Sequence, residues 1–329
     1  MANISELTIN NKNYQNSNYY KNENKINSFY CNDLTIINCL PNEMNSKPND
    51  ISKVKFGEYF SDHMAEVDWT ETEGWGKPKI CPLHNLNLHP ASKVFHFAPE
   101  IFEGMKAFRG EDSSVRLFRP EKNIYRMRRE LLSLIISLIR IDIDWVPNEK
   151  NSALYIRPTF IGTDASFNLT SPKSAKLFII TCPVGSYFKS GFQPASVMAD
   201  SKFTRAFPGG VGNYKMGSNY APTIYVSKLA ENYGCHQVLW LSGEDEKITE
   251  VGVMNIKMEG IVRESCLEIV KEWNEFNINL RYPTIGGELE TLIIPNYELS
   301  EKLNIMKRLF EIIINIQYGK NKKYLKNLI

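Results

Sequence analysis

The chain has no C-x-x-C pair: its six cysteines, Cys31, Cys39, Cys81, Cys182, Cys235 and Cys266, are scattered. Neither a zinc site nor a dithiol redox pair is indicated, and reduced thiols in an intracellular compartment are the expectation. No apolar run is long enough to span a bilayer, since the most apolar stretch, Leu131 to Ile143, is short and carries Arg140 and Asp142. Charge of one sign is lacking too. With 39 basic residues against 37 acidic and a net +2, no electrostatic argument points to nucleic acid or an anionic membrane. Arginine is absent before Arg109, whereas a mitochondrial presequence would be amphipathic and arginine-rich. These absences favour a cytoplasmic protein that handles small molecules.

What is present is a chain of 329 residues, 43% of them hydrophobic, enough for two domains with a core each. Residues 1–50 are dominated by Asn, Lys, Ser and Tyr with no periodic apolar face, and read as a disordered polar leader. Order is expected to begin with a strand at Phe56-Gly57-Glu58-Tyr59-Phe60-Ser61-Asp62-His63-Met64. Val115-Arg116-Leu117-Phe118-Arg119 alternates as a strand, and Pro120 suits the first turn of a helix through Asn123, Arg126 and Met127. Leu154 to Gly162 and Ala175 to Val184 are β-branched and aromatic runs, and read as buried strands with Tyr155 and Arg157 on one face. A loop at 190–194 is expected to divide a small N-terminal α/β domain, 51–189, from a larger domain, 195–329. The larger domain should hold a strand at Ser196 to Ala199, a helix from Ser218 to Tyr233 stopped by Gly234, and a strand at His236 to Leu241. A last helix should carry Leu299, Leu303, Met306, Phe310 and Ile313 on one stripe.

Chemistry concentrates in Gly209-Gly210-Val211-Gly212-Asn213-Tyr214-Lys215-Met216-Gly217-Ser218-Asn219-Tyr220, a glycine-rich loop with one lysine that runs into a helix. Glycines let the backbone take positive φ and approach a bulky ligand, and an amine among apolar neighbours loses hydration. By itself such a loop is most often a surface loop with a solvated lysine. Its full sequence, however, closely resembles the pyridoxal-phosphate lysine loop of the branched-chain aminotransferases, which are fold type IV enzymes. The resemblance extends from about Phe56 to Gly319 and takes in Phe97-Ala98-Pro99-Glu100-Ile101-Phe102-Glu103-Gly104-Met105-Lys106-Ala107-Phe108 and Ile248-Thr249-Glu250-Val251-Gly252-Val253-Met254-Asn255.

This resemblance implies the two-domain α/β architecture of fold type IV, pyridoxal 5'-phosphate as cofactor, no metal, and a homodimer. It also implies transfer of the amino group of leucine, isoleucine or valine to 2-oxoglutarate. Lys215 falls at the Schiff-base lysine and Tyr220 at the tyrosine facing the cofactor. Glu250 falls at the glutamate that keeps the pyridine nitrogen protonated, so that the ring can accept electrons. Arg126 falls at the phosphate-binding arginine, whose guanidinium fork matches phosphate oxygens. Ile261 and Val262 fall at a helix start whose amides hold the same phosphate. Phe56, Phe102, Tyr155 and Arg157 fall in the substrate pocket, where a buried Arg157 needs a carboxylate or carbonyl partner. Phe97 and Val253 stand where the family has a tyrosine and a threonine, and each removes a pocket hydroxyl.

Three connected pieces of the family pattern have no counterpart, which leaves the larger domain incomplete. After Arg129 a helical turn and a Leu-Pro loop are missing, so two helices are expected to run as one. At Ile256 to Glu259 a hairpin and a proline-rich loop are missing. After Ile285 a helix and a Gly-Ser-Gly-Thr-Ala turn are missing, and with them a threonine for the phosphate and amides for the substrate carboxylate. Beside an active transaminase, two other classes remain open: a relative that binds cofactor poorly and acts by pairing with a complete paralogue, and a fragmentary product.

Overall fold

Dense β-branched and aromatic runs set the architecture. In the computed structural model, Ala153–Gly162 and Ser174–Val184 run antiparallel in the middle of a large sheet, with Tyr155 opposite Cys182 and Arg157 opposite Ile180. The structure describes residues 28–125, 129–185, 196–255 apart from 208, 213, 245 and 253, six helical positions between 261 and 272, and 290–293, 304–320 and 325–327. Among these the large sheet has ten strands. Its order is Thr35–Ile36, Lys79–Pro82, His63–Thr70, Ser174–Val184, Ala153–Gly162, Met105–Arg109, Val115–Phe118 and Leu325–Asn327. Gly74–Trp75 adds to His63–Thr70, and Glu100–Phe102 adds to Ala153–Gly162 ahead of Met105–Arg109.

One face of this sheet is covered by the helix Arg129–Ile141. Leu131, Leu134, Ile135, Leu138 and Ile139 recur at helical spacing and are all buried against Ala65, Val67, Leu154, Ile156, Leu177 and Ile179. The other face meets the second half of the chain, where Phe108, Phe118, Ala153, Cys182 and Val184 pack on Ile269, Leu309, Ile313 and Ile316.

The second sheet runs Met254–Asn255, Lys247–Val251, Gln237–Ser242, Ser196–Ala199, Glu290–Ile293. Ser196–Ala199 and Gln237–Ser242 are parallel neighbours, which requires a crossover, and the helix Ala221–Asn232 supplies it. Met198, Val226, Ala230, Val238 and Trp240 form the core of that unit. The lysine loop lies on the way into the crossover helix. Among the described residues no helix is long and apolar enough to cross a membrane.

Several expectations are corrected. Residues 28–50, assigned to the polar leader, belong to the fold: Phe29 is buried edge-on to Trp75 at 5.5 Å, and Thr35–Ile36 pairs with Lys79–Pro82. Short apolar anchors among polar residues carry no periodicity that marks them as part of a core. The first long strand starts at His63 rather than Phe56, which sits in a turn. The expectation that two helices run as one turns on residues 126–128, which lie outside the described residues; Pro120–Tyr125 and Arg129–Ile141 are helical on either side. Val115–Phe118 is buried at all four positions, Arg116 included, because Asp112 takes its guanidinium. In the helix Asn304–Gln317 Ile313 is buried as expected, together with Leu309 and Ile316, while Leu299, Leu303 and the Met306 and Phe310 side chains lie outside the described residues. Leu325–Asn327 crosses the expected domain division, since it covers the edge of Val115–Phe118. The loop at 190–194 lies outside the described residues.

Candidate active site

The site forms where the lysine loop meets Glu100–Phe102. The Phe102 N–H donates to the Lys215 carbonyl (2.9 Å), and Ile101 bridges Met216, so the loop is held to the large sheet by backbone pairing. Inside the loop, Asn219 Nδ2 donates to the carbonyls of Val211 and Tyr214, each at 2.8 Å. Gly209 takes φ +83°, which a residue with a Cβ rarely adopts. A 3-10 turn, Gly217–Asn219, leads through Tyr220 into Ala221–Asn232, with proline in its first turn. Gly234 ends that helix at φ +73°, as expected from sequence.

These backbone contacts place the side chains. Lys215 Nζ lies 3.3 Å from Tyr220 Oη, 4.9 Å from the Phe102 ring centre and 5.5 Å from that of Tyr220. The two rings are 5.1 Å apart, so the amine is walled by aromatic faces that favour a cation. Arg157, on the neighbouring strand, stacks 4.5 Å from the Phe102 centroid and donates Nε and Nη2 to Tyr155 Oη at 3.1 and 2.9 Å. A carboxylate or carbonyl partner was expected for it. Instead a phenol and two aromatic faces hold the half-buried guanidinium, and no carboxylate pairs with it among the described residues. Burial pushes the Tyr155 phenol up from its ordinary value, with Arg157 working against the rise. Phe56 is 59% exposed and stands edge-on to Tyr155 at 4.8 Å. Gly104 allows this arrangement, because a Cβ there would collide with Tyr155 Oη.

Behind Tyr220 lies a buried ion pair. Arg205 stacks 5.0 Å from the Tyr220 ring centre and donates Nη1 to Glu250 Oε1 at 2.5 Å, and both side chains are 2% exposed. Burial raises the Glu250 carboxyl to about 7, while Arg205 and Lys215 pull it down. Glu250 reaches this position because Lys247–Val251 pairs with Gln237–Ser242, which sets it opposite Trp240. Arg205 Nε is buried without a partner among the described residues, so this corner holds a polar group still to be satisfied.

On the other side, Asn123 Nδ2 donates to Glu103 Oε2 (3.1 Å) and to the Gly104 carbonyl (3.2 Å). This pins the helix Pro120–Tyr125 to the turn below Tyr155. Lys106 sits opposite Tyr155, which is itself opposite Cys182, and burial lowers the Lys106 amine from its ordinary value.

Of the residues singled out from sequence, the structure brings together Lys215, Tyr220, Glu250, Phe102, Tyr155, Arg157 and Phe56. Ile261 is half-buried in a helix, packed on the Phe108–Ile313 cluster. Arg126, Val262 and Val253 lie outside the described residues. Arg205 and Lys106 were missed. Each is one basic residue in a polar or strand context, and only the fold reveals that it is buried.

Comparison with known proteins gives a consistent picture. The chain matches no family model. It is 40% identical to a cytosolic branched-chain-amino-acid aminotransferase of Caenorhabditis elegans over 364 aligned positions, covering 89% of this chain and 87% of that one. The alignment is longer than this chain's 329 residues, so the relative carries stretches that face no residue here. The cytosolic enzyme of Rattus norvegicus is 43% identical over 76% of this chain and 69% of its own, and the mitochondrial enzyme of Bos taurus 42% over 76% and 72%. Among solved structures, the branched-chain amino acid aminotransferase of Thermobaculum terrenum in its PLP form superposes with a TM-score of 0.60 at 17% identity, over 80% of this chain and 98% of that one. The branched-chain aminotransferase of Thermoproteus uzoniensis with norvaline also gives 0.60 at 17%, over 80% and 100%. This likeness carries the fold: the mixed α/β fold is the one in those structures.

Proposed function

The chain belongs to the branched-chain-amino-acid aminotransferase family, and from that premise we propose that it transfers the amino group of leucine, isoleucine or valine to 2-oxoglutarate with pyridoxal 5'-phosphate. The observation that carries this reading is the Lys215 amine between the Phe102 and Tyr220 rings, with the buried Arg205–Glu250 pair behind Tyr220. The donor set fits the cofactor. A primary amine suits its aldehyde, aromatic faces border the amine, a carboxyl titrating near 7 could share a proton with a pyridine nitrogen, and a buried guanidinium nitrogen has no acceptor among the described residues. When bound, the cofactor supplies a carbonyl carbon that takes up the amine and a ring that accepts the electron pair left at the substrate's α-carbon.

The chain's own groups do the rest. With the cofactor bound, Lys215 Nζ would take the proton from the substrate's α-carbon and pass it to the cofactor, and Tyr220 Oη stands beside it to hold its orientation. Glu250 keeps its proton or shares it at the ring nitrogen, and Arg205 holds that carboxyl in place. Arg157 offers its charge to a substrate carboxylate, and Tyr155 fixes the plane of its guanidinium. Phe56, Phe102 and Tyr220 give an apolar wall to a branched aliphatic side chain. Arg126 and the helix start at Ile261 and Val262 are assigned to the phosphate.

The same reading divides the chain at 190–194 into a small domain, expected over 51–189 and extended by residues 28–50 and the edge strand Leu325–Asn327, and a cofactor domain from 195 on. It places the missing stretches at 129/130, 256/260 and 285/286, and has the chain working as a cytosolic homodimer. The alternative of a chain that only pairs with a paralogue has less behind it than a working transaminase, since the likeness extends over most of the chain. The test is to incubate leucine and 2-oxoglutarate with the cofactor-loaded protein and follow glutamate. Glutamate above the level of Lys215→Ala supports the proposal, and equal levels in the two overturn it.

A further inference from the structure

A group of ligand-type side chains outside the site above is built on the opposite edge region of the large sheet. His63–Thr70 lies between Lys79–Pro82 and Ser174–Val184, with Glu66 opposite Lys79, Met64 opposite Cys81 and Asp68 opposite Lys176. Because side chains alternate along strands, Glu66, Asp68, Lys79, Cys81 and Lys176 share one face. His84 follows Cys81 in the run Cys81-Pro82-Leu83-His84, and its Nε2 comes to 3.4 Å from Glu66 Oε1. Cys81 Sγ is 3.9 Å from that same oxygen, and the three atoms all lie within 4.8 Å of one another. A zinc tetrahedron with bonds of about 2.0–2.3 Å has edges of roughly 3.3–3.7 Å, so the 3.4 Å His84–Glu66 separation matches such an edge and the 3.9 Å Cys81–Glu66 separation needs a small inward shift. The cysteine spacing along the chain gave no such indication, because the third ligand arrives from the neighbouring strand.

The hydrogen bonds around the histidine point the same way. His84 Nδ1 is 2.9 Å from the Asn85 carbonyl, which can only accept, so Nδ1 carries the hydrogen. His84 Nε2 is thereby left facing the Glu66 carboxylate oxygen, whose negative charge draws a cation. A histidine anchored through its second nitrogen to a carbonyl is also how metal-binding imidazoles are oriented. Lys79 meets part of this demand. Its Nζ is 2.5 Å from Glu66 Oε1, yet its side chain is 41% exposed and free to swing into water. Lys176 is tied elsewhere, to Glu66 Oε2 at 3.0 Å and Asp68 Oδ1 at 2.7 Å.

We propose that Glu66 Oε1, Cys81 Sγ and His84 Nε2 bind one divalent cation of the zinc class, water completing the tetrahedron, with the Lys79 ammonium standing on Oε1 when the cation is away. On binding, the Cys81 thiol gives its proton to solvent and Lys79 withdraws. The thiolate and the Glu66 carboxylate then balance the two positive charges, and nothing is oxidised or reduced. Nitrogen, sulfur and oxygen donors in this geometry suit zinc or cobalt and not magnesium or calcium.

The experiment uses untagged, cofactor-loaded protein freed of metal with a chelator and titrated with Co²⁺, read as difference spectra. One equivalent should give the visible bands of a tetrahedral site together with a thiolate-to-cobalt charge-transfer band. Cys81→Ser should abolish the charge-transfer band with its circular dichroism unchanged. Exposed His84→Gln should weaken binding more than tenfold, which keeps the test available if the cysteine variant does not fold. Lys79→Gln should tighten binding by about tenfold, since an opposing cation is removed. Absence of the charge-transfer band in the unmodified protein, or its survival in Cys81→Ser, overturns the site. Unchanged affinity in Lys79→Gln overturns the displacement by lysine.

Discussion

Replacing Glu250 by glutamine in the cofactor-free protein should change how its stability depends on pH. The carboxyl has an ordinary value of 4.5 and burial raises it to about 7, so the folded chain holds this proton more tightly than the unfolded one. The sign follows: the contribution is fully present below the unfolded value and is lost as pH rises through the folded one. Between about pH 5 and pH 8, and at about 1.4 kcal/mol per tenfold, the loss comes to about 2.5 kcal/mol. Glu250→Gln keeps the shape and an acceptor for Arg205 but cannot titrate, so its stability should lack that component. Urea unfolding of both proteins at the two pH values measures it. If the unmodified chain and the variant lose stability in parallel, the carboxyl is not held in the protonated range by its burial, and the account of this corner of the site fails.

In the cofactor-loaded protein the same substitution should leave the cofactor attached and slow α-proton removal by orders of magnitude, and an unchanged single-turnover rate would refute the role given to Glu250. Borohydride trapping followed by peptide mapping should label Lys215 alone, and label on half-buried Lys106 would move the assignment to the strand Met105–Arg109. Arg205→Met leaves a buried carboxyl without the guanidinium it now accepts from, and should cost about 3–5 kcal/mol by denaturant unfolding at pH 8; a loss under ~1 kcal/mol would show that the pair does not anchor this corner. Inserting the relatives' residues at 129/130, 256/260 and 285/286 should raise kcat/KM for leucine roughly a thousandfold, at about 1.4 kcal/mol per decade for the phosphate and carboxylate donors restored. Equal activity in the two chains would show that the residues present already complete the site.

The lysine loop and its crossover helix could be read directly, because glycines, an asparagine and a terminating Gly234 are local signals that work at short range. The strands around Tyr155 and Arg157 were equally plain, since dense β-branched and aromatic runs closed by proline or glycine fit a buried strand. What stayed hidden depends on non-local partners. Arg205 looks like any loop arginine until Lys247–Val251 brings Glu250 to it. Arg116 reads as the polar member of an alternating strand until Asp112 closes on it, and Phe29 reads as leader until Trp75 covers it. Arg157 was expected to need a carboxylate or a carbonyl. Its actual support is a phenol and π-faces, a solution that propensity and periodicity do not encode.

The strand Leu325–Asn327 also bears on the order in which the molecule is made. It seals the edge of Val115–Phe118, a strand that leaves the ribosome far earlier and whose four side chains are all buried in the finished fold. While the chain is being synthesised that edge stands open, with unpaired amides and carbonyls beside apolar surface, which is the condition under which nascent sheets join the wrong neighbour. Closing it is a long-range pairing and therefore slow. A substitution that weakens the pairing of Leu325–Asn327 with Val115–Phe118 would thus appear first as poor yield at high expression temperature, before any change in the turnover of the molecules that do complete the sheet.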